Sequence, residues 1–327
     1  MIELMKRGAH SGMDAIMCAV MNTSQWRLRH HAVTHERLEK YLVDCEGHNH
    51  RSYYATPDEN RTLPLPEWKH EEHRIRWNTP IPGHHPENNS AHAIVFDTTA
   101  ASESPTIILL HALMSAHDFG YRRIAARFNR RGWNVLFPHL PYHYSRTPRG
   151  FSNGSLTITS DLIRNAEALR QSVIELRQLM AWSRERGSKR IALLATSYGA
   201  WVASLAISME KTDFTILLQP ITDAKHATFG SPASRMMAEL LNKNGIRPES
   251  LDRHAHLSAP SRLSPLTPME RITIIGGKYD RISPSKHLKS LCAAWGGARY
   301  REVEQGHFGY GAMRCALEES EGYLKSF

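Results

Sequence analysis

The sequence predicts an α/β fold, with a mainly parallel central β-sheet and helices on both faces of the sheet. Two observations lead to this prediction. Short apolar runs, typical of buried strands, alternate along the chain with longer segments of helical apolar period, as in successive βαβ units. The 327 residues, of which 41% are hydrophobic and 22% charged, suffice for one large domain with a sizeable core.

Regular strands are predicted from about residue 71 onward. Residues 73–77 alternate between polar and apolar side chains, and a second strand follows at 91–96, so the two predict an antiparallel pair. Continuous apolar runs after them predict buried parallel strands. These strands are expected at 106–110, 133–137, 190–196, 214–218 and 272–275, with a last strand at 300–303.

Helices with an apolar stripe are predicted between these strands. The longest, at 161–186, carries Leu169, Val173 and Leu176 at helical spacing, and Gly187 ends it. Further helices are predicted at 121–131, 234–242 and 312–325, and another is expected to begin near Pro284.

Two segments depart from this pattern. The first, residues 1–70, is expected to be an N-terminal appendage of unknown role. Within it, the apolar residues of 36–43 recur at helical spacing, which predicts a short helix. The appendage could cover one edge of the sheet or pack over the site. Residues 71–327 are expected to form the main domain. The stretch at about 224–268 is too long for a simple crossover between two strands, so we expect a cap or lid over the carboxyl edge of the sheet.

Composition limits the classes of partner. The formal net charge is +9, but no dense block of Lys and Arg occurs, so nucleic-acid binding is not expected, whereas peripheral contact with anionic lipid is compatible with the basic surface. The four scattered cysteines favour a reducing, cytoplasmic location. The sequence contains no run of about 18 apolar residues, so no transmembrane helix is expected. The twenty histidines lack metal-ligand spacing and no nucleotide-binding motif occurs, so neither metal nor cofactor is expected.

The strongest functional signal lies at residues 190–200. An apolar run typical of a strand ends in a small-x-Ser-x-small pattern, with Ala195 and Gly199 on either side of Ser197, and an apolar helical segment follows. In a nucleophile elbow the serine lies on a sharp turn between strand and helix, where only small neighbours fit. The pattern therefore predicts that Ser197 is a nucleophile.

Two later loops supply the groups that a serine nucleophile needs, namely a base that takes its proton and an acid that orients the base. Asp280 follows the strand at 272–275 in a glycine-rich loop, and His307 follows the last strand between two glycines. Serine, then acid, then histidine is the chain order of an α/β-hydrolase triad. Asp223, at the end of an earlier strand, is the rival acid.

The loop after the strand at 106–110 is expected to complete an oxyanion hole. Two N–H donors are needed there to stabilise the negative charge that develops on the substrate oxygen. One is expected from Tyr198, directly after the serine. The other is expected from Leu113, with Met114 as the alternative.

Four side chains near the predicted carboxyl edge are candidates for substrate contact. His111 begins the oxyanion loop, and Tyr142, His143 and Arg146 follow the next strand. Arg146 could pair with an anionic group of the substrate, because a guanidinium binds carboxylate and phosphate groups with two parallel hydrogen bonds. The alternative is that these residues pack and hydrogen-bond within their own loops.

On these motifs the chain resembles the α/β-hydrolase superfamily over about residues 91–325. The resemblance implies the α/β-hydrolase fold with a small cap insertion, Ser197 as nucleophile, Asp280 as acid and His307 as base. The run at 138–148, with the long helix after it, is similar to a poorly characterised bacterial group of α/β-fold hydrolases.

The implied activity is hydrolysis of a carboxylic ester or related acyl bond, in a small molecule or a lipid, through an acyl-enzyme. The same triad supports acyl transfer, peptide-bond cleavage and C–C bond cleavage, because the fold does not decide the reaction. A non-catalytic binding module is a further alternative, and it would need a defect in the site. Two positions depart from the superfamily pattern, because Ala195 and Ala112 stand where glycine is usual.

Overall fold

A computed structural model of the chain describes residues 2–55, 69–71, 73–99 and 104–325. Within these residues, nine strands form one sheet. The strands are β1 (Lys69–Glu71), β2 (Arg74–Asn78), β3 (Ser90–Phe96), β4 (Thr106–Leu110), β5 (Asn134–His139), β6 (Ile191–Thr196), β7 (Phe214–Leu218), β8 (Ile272–Gly277) and β9 (Arg299–Val303).

The same residues contain helices of very different lengths. They are α1 (Ile2–Arg27), α2 (His35–Glu46), α3 (His50–Tyr53), α4 (Phe119–Asn129), α5 (Leu162–Glu185), α6 (Tyr198–Ala206), α7 (Arg235–Lys243), α8 (Ala255–Ser258), α9 (Ser285–Ala294) and α10 (Gly311–Leu324). The predicted helices at 121–131, 161–186, 234–242 and 312–325 correspond to α4, α5, α7 and α10.

The sheet is mainly parallel, as predicted. Its strands lie in the order β1-β2-β3-β5-β4-β6-β7-β8-β9. Three pairings are antiparallel, namely β1 with β2, β2 with β3 and β3 with β5. The pairing of β2 with β3 was expected from the sequence. From β5 to β9 every pairing is parallel. Parallel neighbours need crossover connections, which explains the alternation of strand and helix in this half of the chain.

The core consists of two layers on opposite faces of the sheet. Leu193 and Leu217 belong to the layer that includes α5, α6 and α9, whereas Leu194 and Ile216 belong to the layer that includes α4 and α10. Successive residues of a strand point to opposite faces, so the same strands build both layers. The sheet is therefore covered on both faces, and its carboxyl edge is the place where loops can form a site.

The segment between β7 and β8 contains α7, α8 and several short 3₁₀ turns in place of a single crossover helix. It includes the predicted cap at 224–268. Met237 and Leu241 of α7 pack with Leu38 and Leu42 of α2 in a cluster separate from the two sheet layers. The N-terminal segment therefore packs on the cap.

Helix α1 is the largest element that the sequence analysis did not predict. It packs against α7 and the 232–234 turn. The Asn22 side chain fixes it there, donating to the carbonyl oxygen of Pro232 at 2.9 Å and accepting from the N–H of Met236 at 2.8 Å. Residues 56–68 of the predicted appendage lie outside the described residues.

Candidate active site

Ser197 lies on the tight turn between β6 and α6. Its φ of 52° and ψ of −113° form a positive-φ conformation that a non-glycine residue adopts only under strain. Gly199 makes the turn possible, because a Cβ atom there would lie 2.6 Å from the carbonyl oxygen of His111 and 2.8 Å from the carbonyl carbon of Leu110. The turn therefore presents the Ser197 hydroxyl at the carboxyl end of β6, which is the geometry of a nucleophile elbow.

The structure brings Ser197, Asp280 and His307 together. Ser197 Oγ lies 2.9 Å from His307 Nε2, and His307 Nδ1 lies 2.8 Å from Asp280 Oδ2. The side chains of His307 and Asp280 are 7% and 0% exposed. Asp223, the rival acid, instead accepts a hydrogen bond from the backbone N–H of His226 at 3.1 Å.

Four hydrogen bonds hold the Asp280 carboxylate. Its Oδ1 accepts from the backbone N–H groups of Ile282 and Ser283, each at 2.8 Å. Its Oδ2 accepts from His307 and, at 2.6 Å, from Nε2 of Gln219. These donors fix the carboxylate in the orientation that points Oδ2 at the imidazole.

Gln219 is a site residue that the sequence analysis missed. It follows β7 directly, and its backbone has a φ of 47°. Besides Asp280, its Nε2 donates to the carbonyl oxygen of Gly306 at 2.9 Å, and its Oε1 accepts from Gln305 at 3.0 Å. Gln219 therefore ties the acid loop to the histidine loop. The signal in the sequence was its position at the carboxyl end of a central strand.

The pKa of His307 reflects opposing effects. Burial disfavours the charged ring and lowers the pKa, whereas the charge and the hydrogen bond of Asp280, together with the charge of Asp14, raise it. The raising effects prevail, so the pKa of His307 lies above its usual value of 6.5. The surroundings thus stabilise the imidazolium that forms when the ring takes a proton.

Two backbone N–H groups remain candidates for binding a substrate oxygen. Within the described part of the chain, no bond from the N–H of Leu113 to a backbone group is found, and Tyr198 is the first residue of α6, where a helix leaves its N–H groups without partners inside the helix. The N–H of Met114, in contrast, donates to Nε2 of His143 at 3.0 Å. Met114 is therefore engaged, and Leu113 is the better candidate donor from the loop after β4.

His111 and His143, which were predicted to contact substrate, instead support their loops. Both are fully buried. His143 accepts the N–H of Met114, and His111 accepts the N–H of Leu140 at 3.1 Å while its Nδ1 donates to the carbonyl oxygen of Ala112 at 2.9 Å. Burial lowers the pKa of His143 to about 4 and that of His111 well below its usual value, so both rings stay neutral and able to accept.

Arg146 and Tyr142 were also predicted to contact substrate, and the structure buries both side chains. Arg146 is 1% exposed and forms a two-pronged ion pair with Glu175, at 2.6 and 2.9 Å. It donates further to the carbonyl oxygens of Asn88 and His139, at 2.6 and 3.0 Å. These internal partners occupy the guanidinium, so it cannot pair with a substrate anion. Tyr142 is 6% exposed and packs in a small apolar cluster.

Helix α1 lies over the histidine loop. Asp14 of α1 accepts hydrogen bonds from the backbone N–H groups of His307 and Phe308, at 2.9 and 3.1 Å. The described residues of α1 therefore contact the loop that carries His307.

A groove of about 630 Å³ runs along α1 and reaches Met114 of the oxyanion loop. Ile16 and Val20 of α1 line the groove together with Phe151. Ile16 and Val20 are 65% and 48% exposed, so the groove is an open apolar surface rather than a filled part of the core.

The part of the chain that the structure describes holds neither a metal-binding cluster nor a membrane-spanning helix. No group of three or more His, Cys, Asp or Glu side chains there is arranged to hold a metal ion. Among the described helices, none has both the length and the apolar content to cross a bilayer.

A sequence model for a protein family described as "Alpha/beta hydrolase domain containing 18" matches residues 74–271, which is more than half of the chain. The chain belongs to this family. The matched range of the alpha/beta hydrolase family includes Ser197 and ends before Asp280 and His307. No curated protein sequence matches the chain closely enough to count as a relative.

Solved structures show the same fold at low identity. An acetyl xylan esterase from Paenibacillus sp. R4 is 11% identical, with a TM-score of 0.59 over 90% of this chain and 96% of that one. Acetyl xylan esterase 1 from Thermoanaerobacterium sp. JW/SL YS485 is 12% identical, with a TM-score of 0.55 over 88% of this chain and 93% of the esterase. A Mycobacterium tuberculosis puromycin-hydrolyzing peptidase is 16% identical, with a TM-score of 0.52. That match covers 72% of this chain, and the chain spans only 37% of the peptidase.

Proposed function

We propose that the chain is a serine hydrolase that cleaves a carboxylic ester or related acyl bond, with Ser197 as its nucleophile. The observation that carries the proposal is the hydrogen-bonded series from Ser197 through His307 to Asp280, with the serine on a strained turn between strand and helix. Membership of an α/β-hydrolase family supports hydrolysis in general. The hydrogen-bonded arrangement of a nucleophile, a base and an acid favours the cleavage of acyl bonds in particular.

In the first half-reaction, Ser197 Oγ attacks the carbonyl carbon of the substrate while His307 Nε2 takes the hydroxyl proton. The carbonyl oxygen becomes an oxyanion, and the N–H groups of Leu113 and Tyr198 stabilise it. His307 then gives the proton to the leaving alcohol oxygen, and an acyl ester remains on Ser197. Asp280 stays ionised throughout and orients the ring.

The second half-reaction uses the same groups on water. His307 takes a proton from a water molecule, whose oxygen attacks the acyl carbon of the Ser197 ester. The tetrahedral intermediate collapses when His307 returns the proton to Ser197 Oγ. The carboxylic acid product leaves, and the hydroxyl of Ser197 is restored.

The groove along α1 is the position that we propose for the acyl chain. Its lining includes Met114, the neighbour of the candidate oxyanion donor Leu113, together with Ile16, Val20 and Phe151. Its volume of about 630 Å³ is within the usual range for small-molecule sites, about 300–1,000 Å³. Such a groove favours an ester with an apolar acyl group, either in a small molecule or in a lipid.

The decisive experiment compares Ser197→Ala with Ser204→Ala in hydrolysis of p-nitrophenyl esters. Ser204 is an apt control because it is buried in α6 and its hydroxyl donates only within the helix, to Ala200 at 2.6 Å. We expect Ser197→Ala to lower kcat by roughly 10⁴-fold or more, while Ser204→Ala keeps its activity. Undiminished turnover in Ser197→Ala would contradict the proposal.

The same assay separates ester hydrolysis from the related reactions of this triad. An added alcohol acceptor traps the acyl group if the enzyme is an acyltransferase, and a peptide substrate reveals a peptidase. A panel of esters with increasing acyl length tests the groove, since rates should rise with chain length until the groove is filled.

A further inference from the structure

Asp14 contacts the histidine loop from an element that is far away in the sequence. Asp14 and His307 are 293 positions apart in the sequence, and the His307 N–H donates a hydrogen bond to Asp14 Oδ2 at 2.9 Å. The Phe308 N–H donates to Oδ1 of the same carboxylate at 3.1 Å. Asp14 is 8% exposed, and hydrogen bonds to a carboxylate are about twice as strong as those between neutral groups.

The glycine before His307 leaves room for this carboxylate. The three atoms nearest to a Cβ built on Gly306 all belong to Asp14, with Oδ1 at 2.6 Å. A side chain at position 306 would therefore collide first with Asp14. The close approach of the two residues requires a residue without Cβ at this place.

Asp14 also acts on the imidazole through its charge. Burial lowers the pKa of His307, whereas the charges of Asp280 and Asp14 raise it. The imidazolium that forms during proton transfer therefore interacts with two carboxylates. Asp280 contacts the ring at Nδ1, and Asp14 contacts the backbone that carries it.

Other contacts also hold α1 in place. Asn22 bonds to Pro232 and Met236, and the Gln25 side chain donates to the carbonyl oxygen of Ile158. None of these three bonds involves the histidine loop. They allow the role of Asp14 in the site to be separated from the packing of α1 on the cap.

We propose that Asp14 is a positioning residue, which holds the His307 loop in line with Ser197 and stabilises protonated His307 during turnover. The inference rests on the proposed function, because it gives Asp14 a task in the same triad. It also makes α1 a part of the active site rather than a peripheral appendage.

The first test compares Asp14→Asn with Asn22→Ala, using p-nitrophenyl butyrate and counting active sites by fluorophosphonate titration. Asparagine keeps the size of Asp14 but removes its charge and one of its two acceptor oxygens. We expect kcat of Asp14→Asn to fall by about ten- to hundredfold, with KM less affected. The acidic limb of kcat/KM should move to lower pH, because loss of the negative charge lowers the pKa of His307. Asn22→Ala should leave this limb in place.

A second test keeps the charge of Asp14 but displaces it. Gly306→Ala should reduce kcat in the wild-type background, because the new methyl group meets the Asp14 carboxylate. In the Asp14→Ala background the same change should have little further effect, since the methyl group enters vacated space.

The proposal is overturned by any of three results. These are unchanged kcat and unchanged acidic limb in Asp14→Asn, an equal shift of the limb in Asn22→Ala, and additive losses in the double variant of Asp14 and Gly306. Retained turnover in Ser197→Ala would instead overturn the proposed function. The two failures are therefore distinguishable.

Discussion

Two buried pairs of ionisable side chains, His307–Asp280 and Arg146–Glu175, show how similar burial can have different consequences. Both are almost inaccessible, with side-chain exposures of 7% and 0% in the first pair and 1% and 7% in the second. The Arg146 guanidinium is bound by Glu175 and by two carbonyl oxygens. The His307 ring instead turns its second nitrogen toward the Ser197 hydroxyl.

The difference between the pairs lies in where their hydrogen bonds lead. The Arg146–Glu175 pair has internal partners, since Arg146 donates to two backbone carbonyl oxygens and Glu175 also accepts from Nε2 of Gln171 at 3.1 Å. Such internal hydrogen bonds are what a buried ion pair needs in order to be tolerated. The His307–Asp280 pair leads outward to a nucleophile at the carboxyl edge of the sheet. Burial therefore does not identify the functional pair. What identifies it is the hydrogen bond between the second nitrogen of His307 and the Ser197 hydroxyl.

The largest expected effect concerns the acid of the functional pair. Asp280→Asn should lower kcat by about 10⁴-fold, because the amide favours the wrong tautomer of His307 and no longer stabilises the imidazolium. The backbone bonds from Ile282 and Ser283 to Oδ1 can persist, but the new amide nitrogen cannot accept the bond from Gln219 Nε2, so the melting temperature should fall by only about a few degrees. Ester hydrolysis and thermal unfolding measure the two quantities. Activity within tenfold of wild type would show that another residue is the acid.

The structural pair should respond in the opposite way. Glu175→Gln leaves a buried unpaired charge on Arg146, so we expect a loss of about 3–5 kcal/mol in the free energy of unfolding. The kcat per folded molecule should stay near the wild-type value. As a control, replacing both residues by methionine should recover part of the stability, because no unpaired charge remains. A collapse of kcat at unchanged stability would place Arg146 in the active site after all.

A smaller effect is expected at the oxyanion loop, which His143 supports through the N–H of Met114. Gly154 has a φ of 71°, and a Cβ there would collide with the His143 ring and lie 2.9 Å from the Met114 nitrogen. Gly132 has a φ of 79°, and a Cβ atom there would have no neighbouring atom within 4 Å, so Gly132→Ala reproduces the backbone strain without the collision. We expect Gly154→Ala to lower kcat about tenfold relative to Gly132→Ala, because a displaced donor weakens the oxyanion hole. Equal rates in the two variants would show that the His143–Met114 contact does not support catalysis.

The sequence was most informative about features that local pattern determines. Apolar runs predicted the central strands, because parallel strands are buried on both faces. Once the strands were placed, Ser197, Asp280 and His307 could be assigned to the same edge, and the structure brings them together. Their catalytic roles stay predictions that the variants above test.

Side-chain direction and distant contacts could not be predicted in the same way. His143 and Arg146 were assigned to the correct edge of the sheet because they follow a strand. That reasoning did not reveal that their hydrogen-bond partners lie inside the protein. Gln219 and Asp14 depend on tertiary contacts that no local motif encodes. Helix α1 was also missed because Gly12 lies in its interior, where glycine costs about 1 kcal/mol relative to alanine.

The most direct measurement of the central claim is covalent labelling of the native enzyme with a fluorophosphonate, followed by identification of the modified residue by peptide mass spectrometry. The reagent reacts with a serine that an adjacent base activates. We predict a single adduct on Ser197, and we predict that His307→Ala abolishes it. Absence of labelling in the wild-type enzyme, or an adduct on another residue, would contradict the assignment of Ser197 as the nucleophile.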